Sequence, residues 1–247
     1  MVSEKILEDE TIEDLQLNGL TILQKKNGFR FGMDSVLLAH FADIRETDHV
    51  ADFGTGSGIL PLLLIGRKKG KKFFGIEIQP DIADMAQRTV RINQLEDKVQ
   101  IISGNAIHAA DYMKPCSMDA VICNPPYGVP GSVLKSPVST RAISRSQGNN
   151  TLSGFFRSAF LILKGKGRLF MVYPASQMLQ TMKMLQQFHL EPKRFQMVYP
   201  YENKPANLVL IEAVKDAKPA LQPMPPIIVF SHDQVLTNKL KSVYHIL

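Results

Sequence analysis

The chain has 247 residues, 45% of them hydrophobic and 21% charged, with a formal net charge of +6. These values are typical of an ordinary soluble globular protein with one large domain. No apolar run approaches the roughly 20 residues that cross a bilayer, and the acidic start, MVSEKILEDETIEDL, lacks the apolar segment of a signal peptide. The two cysteines, Cys116 and Cys123, have no metal-site spacing, so we expect no metal and a cytoplasmic location.

The excess positive charge is concentrated in short clusters. One cluster alone is explained by solvated loops and helix ends, but together they favour a polyanionic partner, because neutralising phosphates releases counterions. Composition does not rank RNA, DNA or a nucleotide, and it does not fix the oligomeric state, for which we expect a monomer. The clusters are Lys25, Lys26 and Arg30; residues 67–72; Lys164, Lys166 and Arg168; and Lys193 and Arg194.

The first residues predict a small β-rich cap over residues 1–33. The segment LQLNGLTILQKKNGFRF contains Asn18-Gly19 and Asn27-Gly28, which are hairpin-turn dipeptides. A helix is expected from about Asp34, with Asp34 or Ser35 near its N-cap.

From residue 49, apolar strands alternate with helical segments. The strands are HVADF, FFGIEI, VQIIS and DAVIC, and the segments between them are ILPLLLIGRKK, PDIADMAQRTVRINQL and a helix over roughly residues 106–113. This alternation predicts a doubly wound α/β fold, with a mostly parallel sheet covered by helices on both faces.

The segment from Gly128 to Gly148 interrupts the alternation. It is rich in proline, glycine, serine and basic residues, so we expect a long exposed loop, a kind that is often functional. The pattern then resumes with helix LSGFFRSAFLILK, strand GRLFMVY, helix ASQMLQTMKMLQQF, and strands RFQMVYP and NLVLIEAVK. We expect a main domain over residues 34–215 and a proline-rich tail over residues 216–247 packed on it.

The glycine turn in VADFGTGSGI lies at the end of the first sheet strand. Its glycines are Gly54, Gly56 and Gly58, whereas a G-x-G-x-x-G dinucleotide turn needs a third glycine where this chain has Ile59. Asp52 precedes the turn, and an acid there repels a pyrophosphate but suits a cationic ligand. The turn therefore favours S-adenosylmethionine, a sulfonium, over NAD; the alternative is a tight strand-to-helix connection without a ligand.

Two polar residues follow the next strands at the same predicted edge. Glu77 ends the second strand, where an acid accepts both hydroxyls of a ribose in doubly wound folds. Asn105 follows the third strand, and its amide either bonds an adenine edge or caps the next helix.

The fourth strand runs directly into a rigid polar turn, DAVICNPPYG. The Asn124 amide oxygen and the Pro125 carbonyl offer two acceptors for the N–H groups of a substrate amine, and the prolines hold the backbone still. Tyr127 supplies a flat face on which a flipped base stacks. The alternative is a plain strand stop, since proline has no N–H for the sheet.

DFGTGSG, GIEI and NPPY resemble the motifs of class I S-adenosylmethionine-dependent amino-methyltransferases. FRFGMDSVLLAHF, LEPKRFQMVYP and KPANLVLIEAVKDAKP extend the resemblance, over roughly residues 10 to 225, to the bacterial tRNA1(Val) (adenine-37-N6)-methyltransferase family. The resemblance implies a seven-stranded Rossmann-like sheet, S-adenosylmethionine as cofactor, and tRNA or another structured RNA as partner, with no membrane involvement.

The resemblance also implies roles for individual residues. Asp52, Gly54 and Gly56 would contact the methionine end of the cofactor, Glu77 its ribose and Asn105 its adenine. The family usually has Asp where this chain has Asn105, and an Arg-His-Glu-like stretch where it has STRAISRSQG, with Arg141 and Arg145 as candidate RNA contacts. Thr55, Ile78 and Ala106 belong to the same cofactor site, Phe31 and Asp34 would close it, and the catalytic turn would comprise Asn124, Pro125, Pro126 and Tyr127.

The expected reaction is methyl transfer to an exocyclic amino nitrogen, in first place N6 of an adenine in tRNA. NPPY also occurs in glutamine N5, guanine N2 and DNA adenine methyltransferases, so the substrate is less specified than the reaction. Two alternatives remain open: a protein glutamine N5 or rRNA guanine N2 methyltransferase, and a non-catalytic RNA-binding module that keeps the fold.

Overall fold

The N-terminal residues form an antiparallel hairpin of β1 (Glu10–Asp14) and β2 (Thr21–Lys25). The computed structural model describes residues 4–27, 31–125, 141–231 and 235–243, with the backbone alone for residues 141–150, 239, 242 and 243. Asn18 and Gly19 have φ angles of 54° and 73°, as an Asn-Gly hairpin turn requires. The second turn signal, Asn27-Gly28, runs into residues outside the described ranges.

Within the described ranges, the central sheet contains seven longer strands, and all but one of them run parallel. In the order β5-β4-β3-β6-β7-β9-β8, only β9 runs antiparallel, between β7 and β8. Two short strands, β10 (Gln222–Pro223) and β11 (Ile227–Ile228), each pair with β8. The long strands are β3 (His49–Phe53), β4 (Lys72–Glu77), β5 (Val99–Ser103), β6 (Met118–Cys123), β7 (Leu163–Pro174), β8 (Leu190–Tyr199) and β9 (Leu208–Lys215).

Helices cover both faces of this sheet, as the alternating pattern predicts. Successive strand residues such as Val50 and Ala51 lie in two separate apolar cores, because side chains alternate across a strand. One core includes α1 and α2, and the other includes α4, α5 and α6. The helices are α1 (Met33–Phe41), α2 (Ile59–Gly66), α3 (Pro80–Ile92), α4 (Ala109–Tyr112), α5 (Arg141–Ile162), α6 (Met178–Gln187) and α7 (Asn238–Val243).

Three local expectations need correction. The N-cap of α1 is Gly32, not Asp34 or Ser35. The helix expected over residues 106–113 is a 3-10 turn, Ala106–His108, followed by the four residues of α4. The expected loop up to Gly148 is helical from Arg141 onwards, because a helix nucleated on its buried half extends through polar residues that show no periodicity.

A buried ion pair holds the hairpin against α3. The Arg88 guanidinium donates to both carboxylate oxygens of Glu10, at 2.6 and 2.7 Å, and the Glu10 side chain has no exposed surface. This bidentate contact, with burial opposing it, lowers the pKa of Glu10 to about 2. The hairpin is thereby fixed to the helix that follows Glu77.

We expect Arg88→Met to destabilise the protein by about 3–5 kcal/mol, since it removes the bidentate partner of the buried Glu10 carboxylate and the Lys25 ammonium, at 3.6 Å, does not replace that contact. The matched control is Arg91→Met: Arg91 is 41% exposed and pairs with Glu4, so its loss is expected to cost under about 1 kcal/mol. Urea unfolding at pH 7 measures both changes. Equal losses for the two variants would contradict the role assigned to Arg88.

Candidate active site

Strand register brings the predicted residues to one edge of the sheet. Phe53 pairs with Cys123 in the parallel β3–β6 pair, so Gly54 and Asn124, the next residues, leave neighbouring strands side by side. Adjacent strands lie about 4.8 Å apart, which places the glycine turn next to the Asn-Pro turn. Glu77 ends β4 on the other side of β3.

The glycine turn has a backbone that only glycine adopts without strain. Gly54, Gly56 and Gly58 have φ angles of 71°, 56° and 88°, and a Cβ added at any of them would meet no atom of the described residues within 4 Å. The need for glycine therefore comes from the backbone angles and not from crowding by those residues. Gly58 also forms the N-cap of α2.

Asp52 is a buried acid that has no hydrogen-bond partner among the described residues. Its side chain belongs to a residue that is only 1% exposed, and within the described residues neither oxygen meets a donor. Burial raises its pKa to about 7; the Thr55 hydroxyl opposes this shift, although its geometry falls short of a full hydrogen bond, and the Glu77 charge adds to it. Such an orphaned acid is expected where a cationic ligand completes the site.

Glu77 braces the glycine turn from the neighbouring strand. One carboxylate oxygen accepts the Gly56 N–H at 3.0 Å, and the other accepts the Gln79 N–H at 3.0 Å. The oxygen that accepts the Gly56 N–H retains a second lone pair for a ligand hydroxyl, whereas the other also accepts the Gln79 side-chain NH₂ at 3.5 Å. Ile78, the next residue, is 61% exposed and presents an apolar surface at the same edge.

Asn105 makes the capping contact that the sequence left open. Its side-chain oxygen accepts the Ile107 N–H at 3.1 Å, and its own backbone N–H donates to the Tyr112 hydroxyl at 3.3 Å. Tyr112 lies against Gly104, where an added Cβ would be 2.5 Å from the hydroxyl oxygen. The sequence analysis did not identify Tyr112 as part of this site. Ala106, the residue after Asn105, is buried.

Asn124 is half-buried at the end of β6 and contacts α1. Its side-chain NH₂ donates to the Ser35 hydroxyl at 3.2 Å, and Ser35 is 2% exposed. No sequence signal links these residues, which are 89 positions apart. Pro125 is buried, whereas Pro126 and Tyr127 lie outside the described residues, so their roles remain predictions.

The expected closing residues, Phe31 and Asp34, precede Ser35 in the chain. Phe31 is half-buried, and its N–H donates to the Gln24 side chain at 3.0 Å. An Asp34 carboxylate oxygen accepts the Ser35 N–H at 2.9 Å. The role of both residues in closing the cofactor site remains a prediction.

Two of the basic clusters lie at the opposite edge of the sheet. Residues 67–72 precede β4, and Arg168 of β7 lies level with the start of β6. Arg194 instead lies midway along β8. The Arg168 and Arg194 cations are engaged locally, because Arg168 pairs with Asp48 and Arg194 with Glu212. The six residues of β4 alone separate residues 67–72 from the site by roughly 17 Å, so that cluster does not face the Asn124 turn.

In the part of the chain that the structure describes, no group of three or more His, Cys, Asp or Glu side chains is arranged to hold a metal ion. Among the helices of that part of the chain, none is both long enough and apolar enough to cross a membrane.

Curated relatives match most of the chain. A tRNA1(Val) (adenine(37)-N6)-methyltransferase from Parabacteroides distasonis is 26% identical over 208 residues, which cover 83% of this chain and 85% of the relative. The protein of the same name from Aeromonas salmonicida is 27% identical over 183 residues, covering 74% and 75%.

Solved structures show the same fold. A crystal structure described as a predicted O-methyltransferase from Agrobacterium tumefaciens has a TM-score of 0.67 at 17% identity and covers 86% of this chain and 96% of its own. TYW2 from Pyrococcus horikoshii, solved in complex with MeSAdo, has a TM-score of 0.58 at 16% identity. The match covers 85% of this chain and 73% of the TYW2 chain.

The sequence profile of the methyltransferase small domain matches residues 31–192, which include the glycine turn, Glu77 and the Asn-Pro turn. The match spans well over half of the chain. The protein is therefore a member of the methyltransferase small domain family.

Proposed function

We propose that this methyltransferase transfers the methyl group of S-adenosylmethionine to the exocyclic N6 of an adenine in tRNA. The observation that carries the proposal is the side-by-side exit of Gly54 and Asn124 from paired strands. This arrangement sets a cofactor turn against an amine-binding turn. The names of the curated relatives support the choice of tRNA adenine.

The chain offers a fitting set of groups for the cofactor. S-adenosylmethionine supplies an electrophilic methyl on a sulfonium centre. Asp52 provides a buried carboxyl group that meets no donor within the described residues and so suits a cationic ligand, beside the glycine turn. Glu77 can accept hydrogen bonds from ribose hydroxyls at the end of the neighbouring strand.

The adenine end of the cofactor would lie between β4 and β5. The exposed Ile78 side chain offers an apolar surface for a purine face. The oxygen of Asn105 caps the Ile107 N–H but can accept a second hydrogen bond from an adenine amine. Ala106 adds a small buried residue beside it, and Thr55 completes the turn at the other end.

The Asn-Pro turn would hold the substrate amine. An adenine N6 is planar, with its lone pair delocalised into the ring. The Asn124 oxygen and the Pro125 carbonyl, as acceptors for its two N–H groups, favour a pyramidal nitrogen whose lone pair is directed at the methyl. The leaving thioether is neutral and water takes the released proton, so the main contribution is alignment at about 3 Å.

RNA contacts are assigned to the edge that carries Asn124. Gly154 of α5 packs against Ile107, which follows β5 at that edge. From Gly154 back to its first residue, Arg141, helix α5 is about 20 Å long, so this part of the helix extends beyond the edge. That extension carries Arg141 and Arg145. Lys204 lies exposed in the β8–β9 connection at the same edge. We therefore expect the phosphate contacts at Arg141, Arg145 and Lys204 and not at the basic clusters on the opposite edge.

The test is incubation of the protein with bulk tRNA and S-adenosylmethionine labelled in its methyl group, followed by digestion to nucleosides. We expect label in N6-methyladenosine. Label in N2-methylguanosine, or in protein glutamine when a lysate replaces the tRNA, would overturn the substrate assignment. Absence of cofactor binding by calorimetry would favour the non-catalytic alternative.

Asn124→Ala is expected to lower methyl transfer at least about 100-fold, since it removes an acceptor that aligns the amine. Cofactor binding is expected to stay nearly intact. The control is Gln187→Ala, which removes an exposed amide on α6. Full activity of Asn124→Ala on tRNA would remove this residue from the mechanism.

Glu77→Ala is expected to weaken cofactor binding by roughly 1.5–3 kcal/mol, because charged hydrogen bonds to the ribose and the brace on Gly56 are both lost. Isothermal titration calorimetry measures the change, with the exposed acid Glu96 as control in Glu96→Ala. An unchanged dissociation constant for Glu77→Ala would contradict the ribose role.

Asp52→Asn tests the buried acid through the pH dependence of stability. The folded-state pKa of about 7 lies above the ordinary value of 3.8, so folded Asp52 keeps a proton that the unfolded chain loses. The free energy of unfolding of the ligand-free wild type should therefore fall by up to about 4 kcal/mol between pH 4 and 7. The Asp52→Asn variant should not show this fall, because asparagine does not titrate.

The measurement is the difference in thermal midpoint between Asp52→Asn and wild type, in which other titrating groups cancel. We expect the variant to gain relative stability as the pH rises from 4 to 7 and the difference to level off above that range. A difference independent of pH would show that Asp52 is ionised in the ligand-free protein.

A further inference from the structure

We propose that Ser35 is a positioning residue, whose hydroxyl holds the Asn124 side chain in place for catalysis with the carboxamide NH₂ group towards Ser35. The inference rests on the proposed function for its consequence, but the contact itself is observed. The Asn124 NH₂ group donates to the Ser35 oxygen at 3.2 Å.

Orientation matters because the two ends of a carboxamide have opposite hydrogen-bonding character. The NH₂ end only donates and the oxygen only accepts. A substrate amino group also presents N–H donors, so it needs the oxygen. With the NH₂ group of Asn124 towards Ser35, the carboxamide oxygen lies on the other side. If the amide were flipped, its NH₂ group would face the N–H groups of the substrate, and no hydrogen bond could form between these donors.

The hydroxyl is carried by a rigid support. Leu37, Leu38 and Ala39 of α1 have no exposed surface, so the helix is embedded in the core just past Ser35. The far end of α1 is also fixed. Arg194 donates to the Phe41 carbonyl at 3.3 Å with its guanidinium 4.8 Å from the Phe41 ring centre, and Lys69 donates to the Ala42 carbonyl at 2.6 Å.

Stability alone does not account for a serine at this position. Ser35 is 2% exposed, and within the described residues its hydroxyl oxygen takes part in no side-chain hydrogen bond besides that from Asn124. Alanine has the higher helix propensity, and a buried hydroxyl with one hydrogen bond adds little net stability. The contact therefore serves Asn124 rather than the helix.

The first test compares Ser35→Ala and Ser35→Thr with wild type in tRNA methylation. Ser35→Ala should lower kcat about 10-fold, because the free energy of one hydrogen bond corresponds to about a tenfold change in rate. The KM for tRNA and the dissociation constant of the cofactor should stay unchanged. Ser35→Thr keeps a hydroxyl and should recover most of the rate.

The matched control is Thr89→Val on α3. Thr89 is also buried, and its hydroxyl accepts the Leu23 N–H at 3.2 Å, so the variant loses a comparable structural hydrogen bond far from the turn. It should change stability but not kcat. A wild-type kcat for Ser35→Ala, or an equal loss for Thr89→Val, would overturn the positioning role.

The second test needs no activity. The side-chain ¹H–¹⁵N resonances of Asn124 are identified by their absence from the spectrum of Asn124→Ala. In Ser35→Ala they should shift and exchange faster with solvent, and in Ser35→Thr they should stay near the wild-type positions. Unchanged resonances in Ser35→Ala would disprove the contact. If wild type methylates no RNA, the proposed function fails while this spectrum still decides the contact.

Discussion

Parallel pairing of β3 with both β4 and β6 determines which side chains meet in this protein. The Phe53–Cys123 pair delivers Gly54 and Asn124 to the same edge, and the Asp52–Gly75 pair puts Glu77 on the other side of the turn. A slip of one residue in either register would turn these side chains to the opposite face of the sheet. The apolar residues of β3 and β6, which fill two separate cores, prevent such a slip.

The turn beside this register combines features that a purely structural element would avoid. Three glycines with positive φ cost conformational entropy on folding, and the buried Asp52 has no donor within the described residues. Thr55 fits only because Gly75 lacks a side chain, since an added Cβ would lie 2.7 Å from the threonine oxygen. These costs are concentrated where a cationic ligand would offset them.

Helix α1 connects the two edges of the sheet. Its first turn carries Ser35 against the Asn124 side chain, and its last carbonyls are held by Lys69 and Arg194. Basic residues that suggested phosphate contacts in the sequence therefore stabilise a helix end instead, as cations do near a helix C-terminus. Charge clusters in the sequence did not identify the edge that carries Asn124, because charge counts carry no information about pairing.

The sequence by itself determined the doubly wound sheet, the glycine turn, and the positions of Glu77 and Asn124 at strand ends, because hydrophobic alternation and Gly or Pro punctuation are local properties. Only the tertiary structure decided that the Asn124 side chain contacts Ser35, that Asn105 caps a turn, and that Arg168 and Arg194 are paired with acids. Those facts depend on residues far apart in the chain. Their proximity arises from packing, which no local pattern encodes.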